Sequence, residues 1–226
     1  MIPTSAASRI NALQEPPDGV SVPMDSSPGR QENPVVHKGG LSIPRIFTTP
    51  GSDPLEEVTY EKRTSRIANP DGSVVFEMHG AEIPVGWSQV ATDIVVSKYF
   101  RKAGVPQMDD QGNLVRDEKG EVVRGPERSV KQVIRRMAGC WRHWGQQEGY
   151  FATPQDAQAF EDEISAMLVR QMAAPNSPQW FNTGLHYAYG LTGPAQGHYY
   201  CEPATGEVRR SPDAYGHPQP HACFIL

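Results

Sequence analysis

"SVKQVIRRMAGCW", residues 129–141, is the stretch whose reading decides the fold. Val130, Val133, Ile134, Met137, Ala138 and Trp141 recur at intervals of three and four, the period of an amphipathic helix. Ser129 and Gln132 stand ahead of this run as an S-x-x-Q capping box, in which each side chain takes up an orphan backbone N–H of the first turn. A helix is therefore expected to begin at Ser129. Cys140 falls inside it and reads as a small buried hydrophobe.

Two further helices flank this one. Downstream, "TPQD" supplies Thr153 as N-cap, Pro154 at the first helical position and Asp156 at the favourable end of the helix dipole. Ala157, Phe160, Ile164, Met167, Leu168 and Met172 form the apolar stripe of that helix. Upstream, residues 88–102 place Ala91, Ile94, Val95 and Tyr99 on one face. Between the upstream and central helices, "GVPQMDDQGNLVRDEKGEVVRGPE" is polar and Gly-rich, an exposed loop with a small hairpin across "DEKGE". "ANPDGSVVFEMHG" combines a Pro-Asp-Gly turn with a short β-prone run at 74–77, and "GGLSIPRIFTTPG" reads as extended chain. No internal repeat is evident.

Past Ala174 the chain is expected to lose regular structure through "PNSPQWFNTGLHYAYGLTGPAQG", then to form a hairpin with arms at 199–202 and 207–210. "HACFIL", residues 221–226, reads as a buried β-strand with Cys223 in its middle. Residues 1–40 are rich in Pro, Ser, Gly and charge without an apolar period, and are expected to be a disordered tail.

Composition narrows the function. The 226 residues carry a net charge of −5, so nothing favours a nucleic-acid backbone as partner, and the short basic runs "RHWG" and "VRR" read as solvated faces. No stretch approaches a membrane span, and the first residues lack the basic and apolar regions of a signal peptide. Three cysteines, Cys140, Cys201 and Cys223, with no C-x-x-C spacing, indicate a reducing, cytoplasmic setting rather than a disulfide scaffold. The seven histidines show no metal-ligand spacing, so no metal site is expected. Two places could carry chemistry. In "NSPQWFNTG", residues 176–184, Pro178 disfavours the helical region for Ser177, leaving a hydroxyl and nearby amides at a helix-to-loop junction that suits a phosphate; the same residues also read as a helix stop with Trp180 and Phe181 as packing anchors. Cys223 reads either as an inert strand residue or as a redox thiol, and the latter needs a partner within about 7 Å.

Several segments together resemble a known family. "RIFTTPGSDPLEEVTYEKR", "PDGSVVFE", "ATDIVVSKYFR", "GYFATPQDAQAFEDE", "NSPQWFNTGL", "GLTGPAQGHYY" and "HACFIL" are similar, in order, to the N-terminal part of class II ribonucleotide reductases, the adenosylcobalamin-dependent type. The resemblance runs from about Leu41 to Leu226, and "NSPQWFN" and "HACF" are its most specific elements. It implies a mainly α fold with short β elements: a helical region at 41–174, then a substrate loop, hairpin and first strand of a ten-stranded α/β barrel at 175–226. It implies an enzyme that reduces ribonucleoside diphosphates or triphosphates by cobalamin-initiated thiyl radical chemistry. Cys223 matches the first of two reducing cysteines, Ala222 the neighbour whose backbone contacts substrate, and Ser177 the hydroxyl that helps hold the substrate phosphates.

The implied partners are a ribonucleotide, a deoxynucleotide effector and a thioredoxin-like reductant. The family's radical cysteine, second reducing cysteine and acid–base pair have no counterpart here. The chain is therefore expected to be inactive alone, as a truncated enzyme or one piece of a split enzyme completed by a C-terminal chain. A different class of function is a non-catalytic helical interaction module that binds through the aromatic stretch 176–200.

Overall fold

The computed structural model of the protein describes residues 39–218, apart from Asp110 and Pro203. The expected tail, beyond Gly39 and Gly40, and the expected strand at 221–226 with Ala222 and Cys223 lie outside the described residues. The described part mixes helices and strands, in the order β1 (Tyr60–Ala68), β2 (Val74–Pro84), α1 (Gln89–Ile94), a π-helical turn (Val95–Tyr99), β3 (Val105–Pro106), β4 (Arg124–Gly125), α2 (Val130–Gln147), α3 (Pro154–Val169), α4 (Ser177–Asn182), α5 (Leu185–Tyr189), β5 (Tyr199–Cys201) and β6 (Val208–Arg210).

The central helix starts where its capping box predicts. Ser129 Oγ accepts from Lys131 N at 3.1 Å, and Gln132 Oε1 accepts from Ser129 N at 3.0 Å. Val130, Val133, Ile134, Met137 and Cys140 are all buried. Thr153 caps α3 by accepting from Asp156 N at 3.1 Å. This helix ends earlier than its apolar stripe suggests. Gln171 adopts a φ of 56°, and the Gln171 N–H bonds Leu168 O while the Met172 N–H bonds Met167 O. That pair of bonds is a Schellman stop, which turns Met172 out to 52% exposure.

The other departures have physical causes. The run expected at 74–77 is only the start of the eleven-residue β2, which pairs antiparallel with β1 so that Arg66 faces Glu77 and Tyr60 faces Pro84. β1, "YEKRTSRIA", escapes sequence reading because its charge hides the alternation, and a register shift between Arg63 and Ser65 breaks the period. The upstream helix is cut short at Tyr99, where the Phe100 N–H reaches back to Val95 O at 2.9 Å in a π turn. The hairpin across "DEKGE" forms, and a matching turn precedes it. Asp109 Oδ1 accepts from Gln111 N and Asn113 N, and Asp117 Oδ1 accepts from Lys119 N and Glu121 N, all at 2.9 Å. An eight-residue repeat was thus present, contrary to expectation. Regular structure also continues past Ala174 as α4 and α5, while the 199–210 hairpin forms as β5 and β6.

One core holds these elements. Met78, Ala81 and Ile83 from β2, Val95, Val96 and Phe100 around the π turn, and Val133, Ile134 and Met137 from α2 pack together with Leu168 and Trp180. Trp87 Nε1 donates to Val169 O at 2.8 Å and so ties the hairpin to the end of α3. A strap at 41–48 lies along α3. Its Ile43 N–H bonds Asp156 Oδ1 at 2.8 Å, Arg45 pairs with Asp162 at 2.7 Å, and Glu163 accepts from the Phe47 and Thr48 N–H groups. No helix among the described residues is long and apolar enough to cross a membrane.

Candidate functional site

Arg136 sits on the buried face of α2, three residues after Val133 and four before Cys140, with 1% exposure. A guanidinium there needs all its donors satisfied. Its Nε donates to Glu127 Oε1 at 2.8 Å. Its Nη1 donates to Thr183 O at 2.6 Å, and its Nη2 to Trp180 O at 2.6 Å and Tyr99 O at 3.3 Å. Glu127 is equally buried, and it also accepts from the Tyr189 hydroxyl at 2.8 Å and the Arg101 N–H at 2.7 Å. Burial and the Glu127 carboxylate push the Tyr189 phenol well above its ordinary value, which keeps it a donor. One ion pair therefore terminates the carbonyl ends of α4 and of the π turn and anchors α5.

Ser177 opens α4. Asn176 is the extended N-cap at ψ 159°, and Ser177 and Pro178 begin the first turn, where a proline lacks no needed donor. The junction is thus loop-to-helix, not helix-to-loop, because Pro178 sits at the one end of a helix that tolerates it. Trp180 Nε1 donates to Pro175 O at 2.9 Å, which closes the approach to the turn. Ser177 is exposed, and its Oγ lies 2.9 Å from the Tyr99 hydroxyl. Tyr99 stacks on Trp180, ring centroids 5.5 Å apart, and meets Phe181 edge-on at 5.2 Å. Together these give an exposed pair of hydroxyls on a rigid aromatic base, chemistry suited to bonding an anionic oxygen.

Gly184 lets the chain between α4 and α5 lie directly against the α2 backbone. Its φ of 81° suits glycine alone, and a Cβ there would fall 2.0 Å from the Arg136 carbonyl oxygen. The other cysteines stand apart from Ser177 chemistry. Cys140 is buried, its thiol pushed up to about 12 chiefly by burial, and Cys201 is exposed on β5. A separate cleft of about 800 Å³ shares Arg136 and Tyr189 but not Ser177. Its charged walls are already paired, Arg135 with Asp53 at 2.8 Å and Arg142 with Glu161 at 2.7 Å. Among the described residues no group of three or more His, Cys, Asp or Glu side chains could hold a metal ion.

Of the sequence-derived site residues, Ser177 alone is described, and Ala222 and Cys223 are not. Tyr99, Glu127, Arg136 and Tyr189 were missed. Arg136 left a trace in the sequence, a charge on the apolar face of an otherwise regular helix; Glu127 and Tyr189 left none.

Comparison with known proteins agrees with the sequence pattern. Residues 61–171 match a family described as class II vitamin B12-dependent ribonucleotide reductase. A vitamin B12-dependent ribonucleotide reductase of Bradyrhizobium diazoefficiens is 50% identical over 203 residues, covering 82% of this chain. One from Agrobacterium fabrum is 50% identical over 201 residues, also 82% of this chain, and one from Rhodopirellula baltica is 35% identical over 176 residues, 77% of this chain. The chain spans 16% of the length of the first two relatives and 15% of the third.

Proposed function

The chain belongs to the class II vitamin B12-dependent ribonucleotide reductase family, and on that premise we propose that it serves the reduction of ribonucleoside diphosphates or triphosphates to 2′-deoxyribonucleotides. The observation that carries this reading is the exposed Ser177 hydroxyl, fixed 2.9 Å from Tyr99 on a turn anchored by a buried ion pair. Ser177 bonds a substrate phosphate oxygen, and the preformed turn limits the entropy lost on binding. The backbone of Ala222 contacts the substrate.

Cys223 is one of two reducing thiols. The pair gives up two electrons and two protons, leaves as a disulfide, and is reset by a thioredoxin-like reductant. The substrate loses its 2′ hydroxyl as water in the same exchange. Adenosylcobalamin supplies the radical that starts the chemistry. No contact to it is assigned to the described residues of this chain. A deoxynucleotide effector is the further partner. The reaction belongs to the cytoplasm, where the reductant is held reduced.

Replacing Cys223 by Ser in the active enzyme tests the reading. Turnover supported by a thioredoxin-type reductant should collapse while nucleotide binding survives. Unchanged turnover would contradict the role given to Cys223.

A further inference from the structure

We infer that Tyr99 is a positioning residue for the nucleotide phosphate, acting through Ser177; this rests on the reading of Ser177 given above. A serine hydroxyl has one proton and two lone pairs. To donate to a phosphate oxygen it must spend that proton outward, and its oxygen is then free only to accept. The Tyr99 hydroxyl lies 2.9 Å away, where either oxygen can donate, and the tyrosine takes the donor's part once the serine proton turns outward. By donating to Ser177 Oγ it selects the rotor in which the serine proton faces the ligand.

Three features show that Tyr99 is held for this geometry. The π turn at Val95–Tyr99 ends on it, and such single π turns re-aim a side chain relative to a regular helix. Its carbonyl accepts from Arg136, so its backbone is tied to the same buried pair that terminates α4. Its ring is fixed between Trp180 and Phe181, the second and third residues after Pro178. Packing alone asks only for a phenyl ring at this position, while the hydroxyl reaches Ser177. Both partners of the hydroxyl pair are therefore set by one rigid unit, and Tyr99 acts on substrate affinity without touching the reacting carbon.

The test is a double-mutant cycle in the active enzyme, with ribonucleotide as the varied substrate. Tyr99→Phe keeps the ring and removes the donor. It should raise KM about fivefold, the worth of one hydrogen bond, and leave kcat unchanged. Ser177→Ala should raise KM at least as much, and the double variant should be no worse than Ser177→Ala alone, because the tyrosine has nothing left to orient. Ser177→Thr, which keeps a hydroxyl, should hold KM with Tyr99 present and lose it with Tyr99→Phe. A KM unmoved by Tyr99→Phe, or additive effects in the double variant, would overturn the inference while leaving the Ser177 reading intact. A KM unmoved by Ser177→Ala would instead overturn the Ser177 reading and the inference with it.

Discussion

Arg136 and Glu127 form a 2.8 Å ion pair in which neither side chain keeps any solvent exposure. Such a pair contributes little net stability against well-packed apolar residues, because both ions lose their hydration. Breaking it is another matter, since the charge left behind has no water to turn to. Here the pair also satisfies the carbonyls of Tyr99, Trp180 and Thr183, so its removal exposes several unmet partners at once.

Arg136→Met should therefore destabilise the fold by about 3–5 kcal/mol, and Glu127→Leu by a similar amount. The double replacement should recover part of that loss, because it leaves no lone buried charge. Urea unfolding midpoints of the three variants check this. A double variant as unstable as the sum of the singles would show that the carbonyl bonds, not the charges, dominate.

Gly184→Ala is expected to be among the most damaging small substitutions. The positive φ alone costs roughly 1–2 kcal/mol, and the 2.0 Å approach to the Arg136 carbonyl forces α5 to move as well. The thermal midpoint is the measurement, and a drop of less than about 3 °C, the shift expected of about 1 kcal/mol in a chain of this size, would contradict the packing described.

Acid should release the strap at 41–48. Burial raises the Glu163 carboxyl, but hydrogen bonds from the Thr48 hydroxyl and from strap N–H groups outweigh it and leave the group below its ordinary 4.5. The Asp156 carboxyl is likewise held below 3.8, by the Thr153 hydroxyl and the Ile43 N–H. A carboxylate depressed in the folded state contributes stability above its unfolded value and loses it as pH falls through the lower folded value. Docking of the strap should therefore be complete at about pH 6, begin to weaken only as the pH falls below the ordinary values of 4.5 and 3.8, and be lost at the depressed folded values beneath them. Proteolysis between residues 41 and 48 measured across that range checks it, and Glu163→Gln should open the strap at neutral pH.

Cys140 should be chemically silent. Its thiol, raised by burial from 9.0 to about 12, stays protonated at physiological pH. A group raised in the folded state contributes stability below its unfolded value, so this share is lost as pH climbs from about 9 toward 12. Alkylation mapped by mass spectrometry at pH 8 should label Cys201 quickly and Cys140 only after denaturation. Rapid labelling of Cys140 in the folded protein would contradict its burial.

What sequence could reveal here divides along physical lines. The starts of α2 and α3 were legible because Ser129–Gln132 and Thr153–Pro154 act through neighbours in the chain. The 199–210 hairpin was legible for the same reason. β1 was not, because its partner β2 and not its own composition makes it a strand. α4 and α5 were not, because they lie in a proline- and glycine-rich stretch and are held by Arg136 and Glu127 respectively, each more than forty residues earlier in sequence. Ser177 was singled out by the proline that follows it, and the resemblance then gave it a substrate role in preference to a packing one; Tyr99, the residue that faces it, required the fold.

The most direct measurement of the central claim, that Ser177 and its turn hold the substrate phosphates, is hydrogen exchange of the 177–182 segment in the active enzyme with and without saturating ribonucleotide. The account predicts slowed exchange on nucleotide binding in the wild type and a loss of that protection in Ser177→Ala. Exchange at 177–182 that is identical with and without nucleotide would contradict it.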